Sequence, residues 1–330
     1  MRVLVTGSSG FIGRHVIHAL LQAGYEVRAL ARRSATNVRQ ENIEHVTANL
    51  VEDDLERAVA GIDAVVHLAA QMHGSADQQW TSIVIGTGRL LEAMDGANVR
   101  RLVLCSSISV FDWRMIRRTV HEHSPLLDEI GADRASGYAR AKLAQERLVR
   151  RWAALGAGEL TVLRPGAVWG QDRLPAYEVG LALGPLLVVI NPFRPVKLIY
   201  VENCAAAIAA TLGNPRTIGE TINLFDSDRV TAWQFGSVIS KRWNKVPIPG
   251  SYWACRLVAS LALGVARAVG RGRIRLPVTL TSLEFMARYR RVGCSNDKMK
   301  RLLGWQAPFT FPRAIARSET WINDGTETPD

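Results

Sequence analysis

The first 165 residues alternate short apolar runs with helical patterns, and this alternation constrains the fold more than any other feature of the chain. Arg2–Val5, Glu26–Ala31, Ile43–Ala48, Ala64–Leu68, Leu102–Cys105 and Leu160–Leu163 read as strands. Between them Phe11–Ala23, Leu55–Val59, Ile83–Asp95 and Tyr138–Ala154 read as helices. Strand–helix–strand units of this length cross over right-handed and assemble a doubly wound parallel sheet in an α/β fold.

The rhythm loosens after Arg164-Pro165-Gly166, where Pro175, Pro185, Pro192 and Pro195 punctuate an apolar region. Val196–Val201 and Thr221–Phe225 are expected to return to the main sheet, with Ala205–Leu212 as a helix between them. From about residue 228 the pattern is mostly helical and predicts a smaller lobe over the sheet's carboxyl edge, where ligands of open α/β sheets bind. The expected division is residues 1–165 plus 196–226 for a Rossmann-type nucleotide-binding domain, and 166–195 plus 227–330 for a substrate-binding lobe.

With 48% apolar residues the chain is globular in composition. Its net charge of +11 favours anionic partners, yet no nucleic-acid motif accompanies it, so no nucleic acid is expected. Four dispersed cysteines form no CxxC pair and suggest neither a zinc site nor a disulfide framework. Met1 leads straight into the first strand, and a reducing cytoplasm is the expected location. The uncharged run Leu257–Ala266 is too short to span a bilayer, which takes about 20 residues. Within 251–275 a lid over an apolar substrate pocket is the first reading, and peripheral membrane contact by an amphipathic helix is the second.

Three motifs carry chemistry. Thr6-Gly7-Ser8-Ser9-Gly10-Phe11-Ile12-Gly13 joins a strand to a helix. Its glycines permit a tight turn, approach of a pyrophosphate and close helix–strand packing, while the helix N-terminus attracts the anion. Ser106-Ser107 ends the fifth strand, and Tyr138-Ala139-Arg140-Ala141-Lys142 follows 31 residues after Ser107. Residues four apart share one helix face, so Tyr138 and Lys142 point into one site. A tyrosine hydroxyl titrates near 10, so a neighbouring lysine cation is expected to lower its pKa, and a serine can hold a substrate oxygen in line. The end of the second strand, Arg28-Ala29-Leu30-Ala31-Arg32-Arg33, lacks the acid that would hold a ribose hydroxyl. Arginine there suits a 2′-phosphate, so NADP(H) is preferred, through Arg32 first and Arg33 second, with NAD(H) left open.

These motifs together resemble the extended branch of the short-chain dehydrogenase/reductase superfamily, the NAD-dependent epimerase/dehydratase superfamily. The resemblance implies Ser107, Tyr138 and Lys142 as the catalytic set, with Lys142 also holding the nicotinamide ribose. It implies cofactor contacts from Gly7, Ser9, Gly10, Phe11, Ile12 and Gly13, and from Asn49-Leu50 near the adenine. Leu68, Ala69 and Ala70, in a His-Leu-Ala-Ala segment beside the cofactor, and Pro165 and Val168, in Arg164–Gly170, complete the set. His67 receives no proton-transfer role, Ser106 supports the turn, and Ser109 is the reserve serine. Two positions depart from the family pattern: Ile83 stands where an asparagine is usual, and Ala167 where sugar-nucleotide enzymes place asparagine. The serine motif and the Arg-Pro-Gly run look most like the 3β-hydroxysteroid dehydrogenase and dihydroflavonol reductase groups. The implied activity interconverts a carbonyl and an alcohol on a fairly apolar small-molecule substrate. The alternative is a nucleotide-sugar epimerase or dehydratase holding NAD tightly. A homodimer through the Ile83–Asp95 and Tyr138–Ala154 helices is also implied.

Overall fold

The computed structural model describes residues 1–33, 43–128, 131, 135–156, 158–270 and 282–320. Its centre is a seven-stranded sheet of β1 (Arg2–Thr6), β2 (Glu26–Ala31), β3 (Ile43–Thr47), β4 (Ala64–His67), β5 (Arg101–Cys105), β7 (Glu159–Pro165) and β12 (Thr221–Leu224). The spatial order is β12-β7-β5-β4-β1-β2-β3, and all pairings are parallel. The chain builds outward from β1 through β2 to β3, then restarts on the other side of β1 with β4. That reversal leaves a crevice at the carboxyl ends of β1 and β4, the place where such sheets bind ligands.

Successive strand residues point to opposite faces, and both faces are covered. Val3 and Val5 pack with Val16 and Leu20 of the Phe11–Gln22 helix and Ile208 of the Val201–Leu212 helix. Leu4 joins Leu90, Leu91 and Met94 of the Gly86–Gly96 helix, with Val149 and Trp152 of the Gly137–Ala154 helix, on the other side.

Two expectations need correction. The Val196–Val201 run does not enter the main sheet: only β11 (Leu198–Tyr200) is strand, paired with β8 (Ala167–Trp169) in a separate ladder. The cause lies at Gly166, where the chain leaves β7. Gly166 N–H still bonds Leu224 O, but Ala167 N–H already bonds Lys197 O. The helix expected over Ile83–Asp95 begins earlier, at Ala76, and runs through a π-helical turn at Thr81–Ile85 before Gly86–Gly96. A capping box starts it, with Ser75 and Gln78 satisfying each other's backbone N–H groups.

Beyond the sheet, helices span Ala232–Trp243, Tyr252–Gly270, Ser282–Tyr289, Asp297–Leu303 and Phe311–Thr320. A three-stranded sheet of β9 (Gly180–Leu183), β10 (Leu186–Ile190) and β13 (Val246–Gly250) accompanies them. A two-stranded ladder of β6 (Thr119–Val120) and β14 (Gly293–Cys294) ties the Ser282–Tyr289 region to the loop after β5. Among the described residues no helix is long and apolar enough to cross a membrane.

Candidate active site

A cavity of about 330 Å³ opens along the carboxyl ends of β1, β4, β5 and β7. Its floor is the glycine turn. Gly7 has φ +70°, and a Cβ there would stand 2.9 Å from the backbone of Ala69. A Cβ on Gly13 would collide with the carbonyl oxygens of Gly7 and Ser8. The helix Phe11–Gln22 starts at Gly10 without a side-chain cap, and Phe11, Ile12 and Gly13 line the cavity at its positive end. A dinucleotide diphosphate fits this cradle, because backbone can approach it where side chains cannot stand.

Ser107 N-caps the short turn Ile108–Val110 after β5, accepting from Ser109 N–H at 3.1 Å, and lines the cavity together with Tyr138. Ser136 caps the Gly137–Ala154 helix and so fixes the rotation that sends Tyr138 and Lys142 into the cavity. Lys142 is 1% exposed; its Nζ donates to Cys105 O at 2.8 Å and to Gln145 Oε1 at 3.0 Å. The same Nζ lies 6.0 Å from the centre of the Tyr138 ring. Burial, and then the Cys105 thiol, push the Tyr138 hydroxyl well above its ordinary range. The Ser107 side chain and the Arg173 guanidinium oppose that rise. Sequence reasoning named Lys142 as the opposing cation; Arg173, from the loop after β8, is a second cation that acts in that direction.

Behind Lys142 runs a buried chain of hydrogen bonds that sequence reading missed. Gln145 Nε2 donates to Thr87 Oγ1 at 2.7 Å, and Thr87 spends its own proton on Ile83 O. The 2.9 Å contact between Thr87 Oγ1 and His67 Nε2 therefore has the ring nitrogen as donor. His67 Nδ1 then accepts from Thr6 Oγ1 at 2.7 Å, and Thr6 Oγ1 accepts from Ala69 N–H at 3.2 Å. Burial, aided by the Lys142 charge, lowers the His67 pKa to about 3, so the ring stays neutral. The chain links the lysine to the glycine turn. It also sits at the π-helical turn, where Ile83 contributes its carbonyl and Thr87 its hydroxyl. Gln145 lies three residues after Lys142 on the same helix face, the one signal that could have found it.

Of the residues singled out from sequence, Gly7, Gly10, Phe11, Ile12, Gly13, Leu68, Ala70, Ser107, Tyr138, Lys142, Pro165 and Val168 line the cavity, as does Ala167. Ala69 is outside the lining, its backbone lying against Gly7. Ser9, Arg32 and Arg33 are exposed and stand outside this lining, the arginines just past β2. Asn49 is held in its own turn, bonding Val51 N–H and Glu52, and Leu50 is buried against Gly86. Ser106 donates to Glu146 at 2.6 Å, and Arg164 forms a bidentate pair with the same carboxylate, so both brace the scaffold. Trp113, Arg173, Tyr177, Lys197 and the Glu178–Arg288–Glu284 ion pairs complete the cavity wall.

Residues 3–224 match the model of the NAD dependent epimerase/dehydratase family. The 2-alkyl-3-oxoalkanoate reductase of Stenotrophomonas maltophilia is 32% identical over 218 residues, covering 63% of this chain and 64% of that protein. A ketoreductase of Stigmatella aurantiaca, named for a 4-hydroxy-2-methyl-3-oxo-4-farnesyl-3,4-dihydroquinoline-1-oxide, is 35% identical over 332 residues. That match covers 96% of this chain and 95% of the ketoreductase. Among solved structures, the UDP-glucuronic acid 4-epimerase of Bacillus cereus, in complex with NAD, superposes with a TM-score of 0.71 at 18% identity. It covers 98% of this chain and 99% of the epimerase, and the likeness is one of fold.

Proposed function

The chain belongs to the NAD-dependent epimerase/dehydratase family, and we propose that within it this protein is an NADP(H)-dependent oxidoreductase interconverting a carbonyl and an alcohol. The observation that carries this reading is the convergence of Ser107, Tyr138 and Lys142 on the cavity that the glycine turn floors. When bound, the nicotinamide supplies or takes the hydride. Tyr138, kept protonated by its raised pKa, donates a proton to the carbonyl oxygen, and Ser107 holds that oxygen in line. Lys142 keeps a positive charge near the ring and, pinned to Cys105 O, is positioned to hold a cofactor hydroxyl. Arg32 and Arg33, at the end of β2 in a stretch with no Asp or Glu between Val27 and Gln40, support the NADP(H) preference. Met72, Ile108, Trp113 and Ala287 give the wall apolar surface for a carbon skeleton. The reductase relatives named for oxo compounds support net reduction.

The test is one set of measurements on purified protein. Tyr138→Phe should bind NADPH within about threefold of wild type yet lose at least about a hundredfold in carbonyl-dependent NADPH consumption, the scale of a general acid. Wild type should bind NADPH more tightly than NADH. Near-normal turnover in the variant rejects the role of Tyr138, and tighter NADH binding rejects the cofactor preference. NAD that survives purification, without consumption of free NADPH, would instead favour a nucleotide-sugar epimerase.

A further inference from the structure

Lys197 is the least explained charge in the molecule. It precedes β11, is 1% exposed and lines the active-site cavity. Its ammonium has three protons to give, and the structure offers them one long bond to Arg288 O, 3.3 Å, and the face of Trp113, 5.0 Å from the ring centre. Among the described residues no carboxylate lies within ion-pair distance of it. The acid nearest in effect, Glu178, is already bound to Arg288 at 3.0 Å, and Arg288 also holds Glu284 at 3.1 Å. Arg194, fully buried, adds a further positive charge beside Lys197, and its Nη1 has no partner. Positive charge therefore outnumbers negative along this wall.

A buried ion without its counter-ion costs several kcal/mol, a cost that an anionic ligand beside it would offset. The cavity places the completion point. Lys197, Tyr138 and Lys142 all line it, and the Lys197 ammonium lies against Arg288 O and the Trp113 ring, both of residues that line it too. One substrate can therefore reach both groups. We propose that Lys197 binds a carboxylate of the substrate, so that the reduced compound is an oxo acid whose carbonyl meets Ser107 and Tyr138 while its acid end takes Lys197. A carboxylate is favoured over a phosphate ester because Arg288 is already held by Glu178 and Glu284, and Arg194 by the Ile190 and Glu178 carbonyls, which leaves the Lys197 ammonium to neutralise one charge. This substrate class rests on the oxidoreductase reading above; the lysine's affinity for an acid can be measured without turnover.

The experiment titrates the NADPH complex at pH 7 with octanoate, octanamide and octyl phosphate, in wild type, Lys197→Met and Lys197→Arg. Wild type should bind octanoate at least tenfold more tightly than octanamide or octyl phosphate. Lys197→Met should lose at least tenfold for octanoate and less than twofold for octanamide, with NADPH affinity kept, and Lys197→Arg should recover most of the loss. Equal binding of acid and amide by wild type, tighter binding of the phosphate, or equal weakening of acid and amide in Lys197→Met overturns the proposal. Should Lys197→Met fail to fold, the wild-type ligand ranking and Lys197→Arg decide alone. Turnover of 4-oxooctanoate against its methyl ester is followed in parallel: octanoate binding through Lys197 with no turnover of either sinks the oxidoreductase reading and leaves the anion site standing.

Discussion

Taking the Lys142 ammonium out of water lowers its pKa from 10.5 to about 8, against the raising effects of Cys105 and Glu146. The folded-state value lies below the unfolded one. Between about pH 8 and 10.5 the unfolded chain thus binds more protons, and this group makes the fold more stable as pH rises through that window. Lys197, also lowered to about 8 by burial and then by Arg194, acts in the same direction. Activity should move the opposite way, since the charge beside Tyr138 is lost as Lys142 deprotonates. We expect kcat for carbonyl reduction at saturating substrate to fall above about pH 8 while these lysines add no loss of thermal stability. Lys142→Arg should be slower but lose that descending limb. A wild-type kcat flat to about pH 10 would reject the role. The spacing from Tyr138 made Lys142 legible in sequence, because a helix repeats its face every three to four residues. Arg173 and Lys197 were not legible: they come from loop and strand-end positions whose direction is set by packing rather than by local periodicity.

At the scale of elements, the strands read correctly where they are buried on both faces, since a continuous apolar run bounded by turns leaves few alternatives. Val196–Val201 misled because a strand-like run does not say which sheet it joins; the departure of the chain at Gly166 decides that. The Phe11–Gln22 helix is the element whose placement the cofactor cradle depends on. At Gly13 it approaches the preceding turn so closely that a methyl group would overlap two backbone carbonyls, and backbone cannot yield as a side-chain tip can. Gly13→Ala should therefore displace the helix start, costing about 1–3 kcal/mol of stability as overpacking does. It should weaken NADPH binding at least about tenfold. Gly96→Ala is the control, because nothing lies within 4 Å of its would-be Cβ. That substitution should leave both readouts near wild type or add slightly to stability. NADPH affinity in Gly13→Ala within about twofold of wild type would show that the close approach does not shape the cradle.

For the whole molecule, the site divides into a half that follows the order of the sheet and a half that does not. Turns after successive parallel strands meet at one edge by topology, so the sequence alone places Gly7, Leu68, Ser107 and Pro165 together. The rest of the wall could not, because Trp113, Arg173, Lys197 and Arg288 are gathered from four distant stretches without a motif. The C-terminal part of the chain also carries a cluster of exposed apolar side chains. On the Tyr252–Gly270 helix, Trp253 is 73% exposed, Val258 65%, and Leu257 and Leu261 61% each. Arg256, Arg290 and Arg291 line a groove with Trp253 at the start of that helix, and none has a carboxylate partner among the described residues. Of the segment 251–275 singled out from sequence, residues 271–275 lie outside the described residues. An apolar stripe rimmed by arginines matches an anionic lipid surface, which takes the side chains into its interface and the cations at its headgroups. The protein should co-sediment with vesicles containing phosphatidylserine, far less with phosphatidylcholine alone, and less as salt rises. Trp253→Ser combined with Leu257→Gln should reduce that binding at least about tenfold without altering NADPH affinity, because both residues lie outside the cofactor cavity. Absence of co-sedimentation with phosphatidylserine vesicles at low salt would reject the membrane contact. The apolar stripe would then fall to a protein partner or a second copy of the chain, which light scattering can separate by mass.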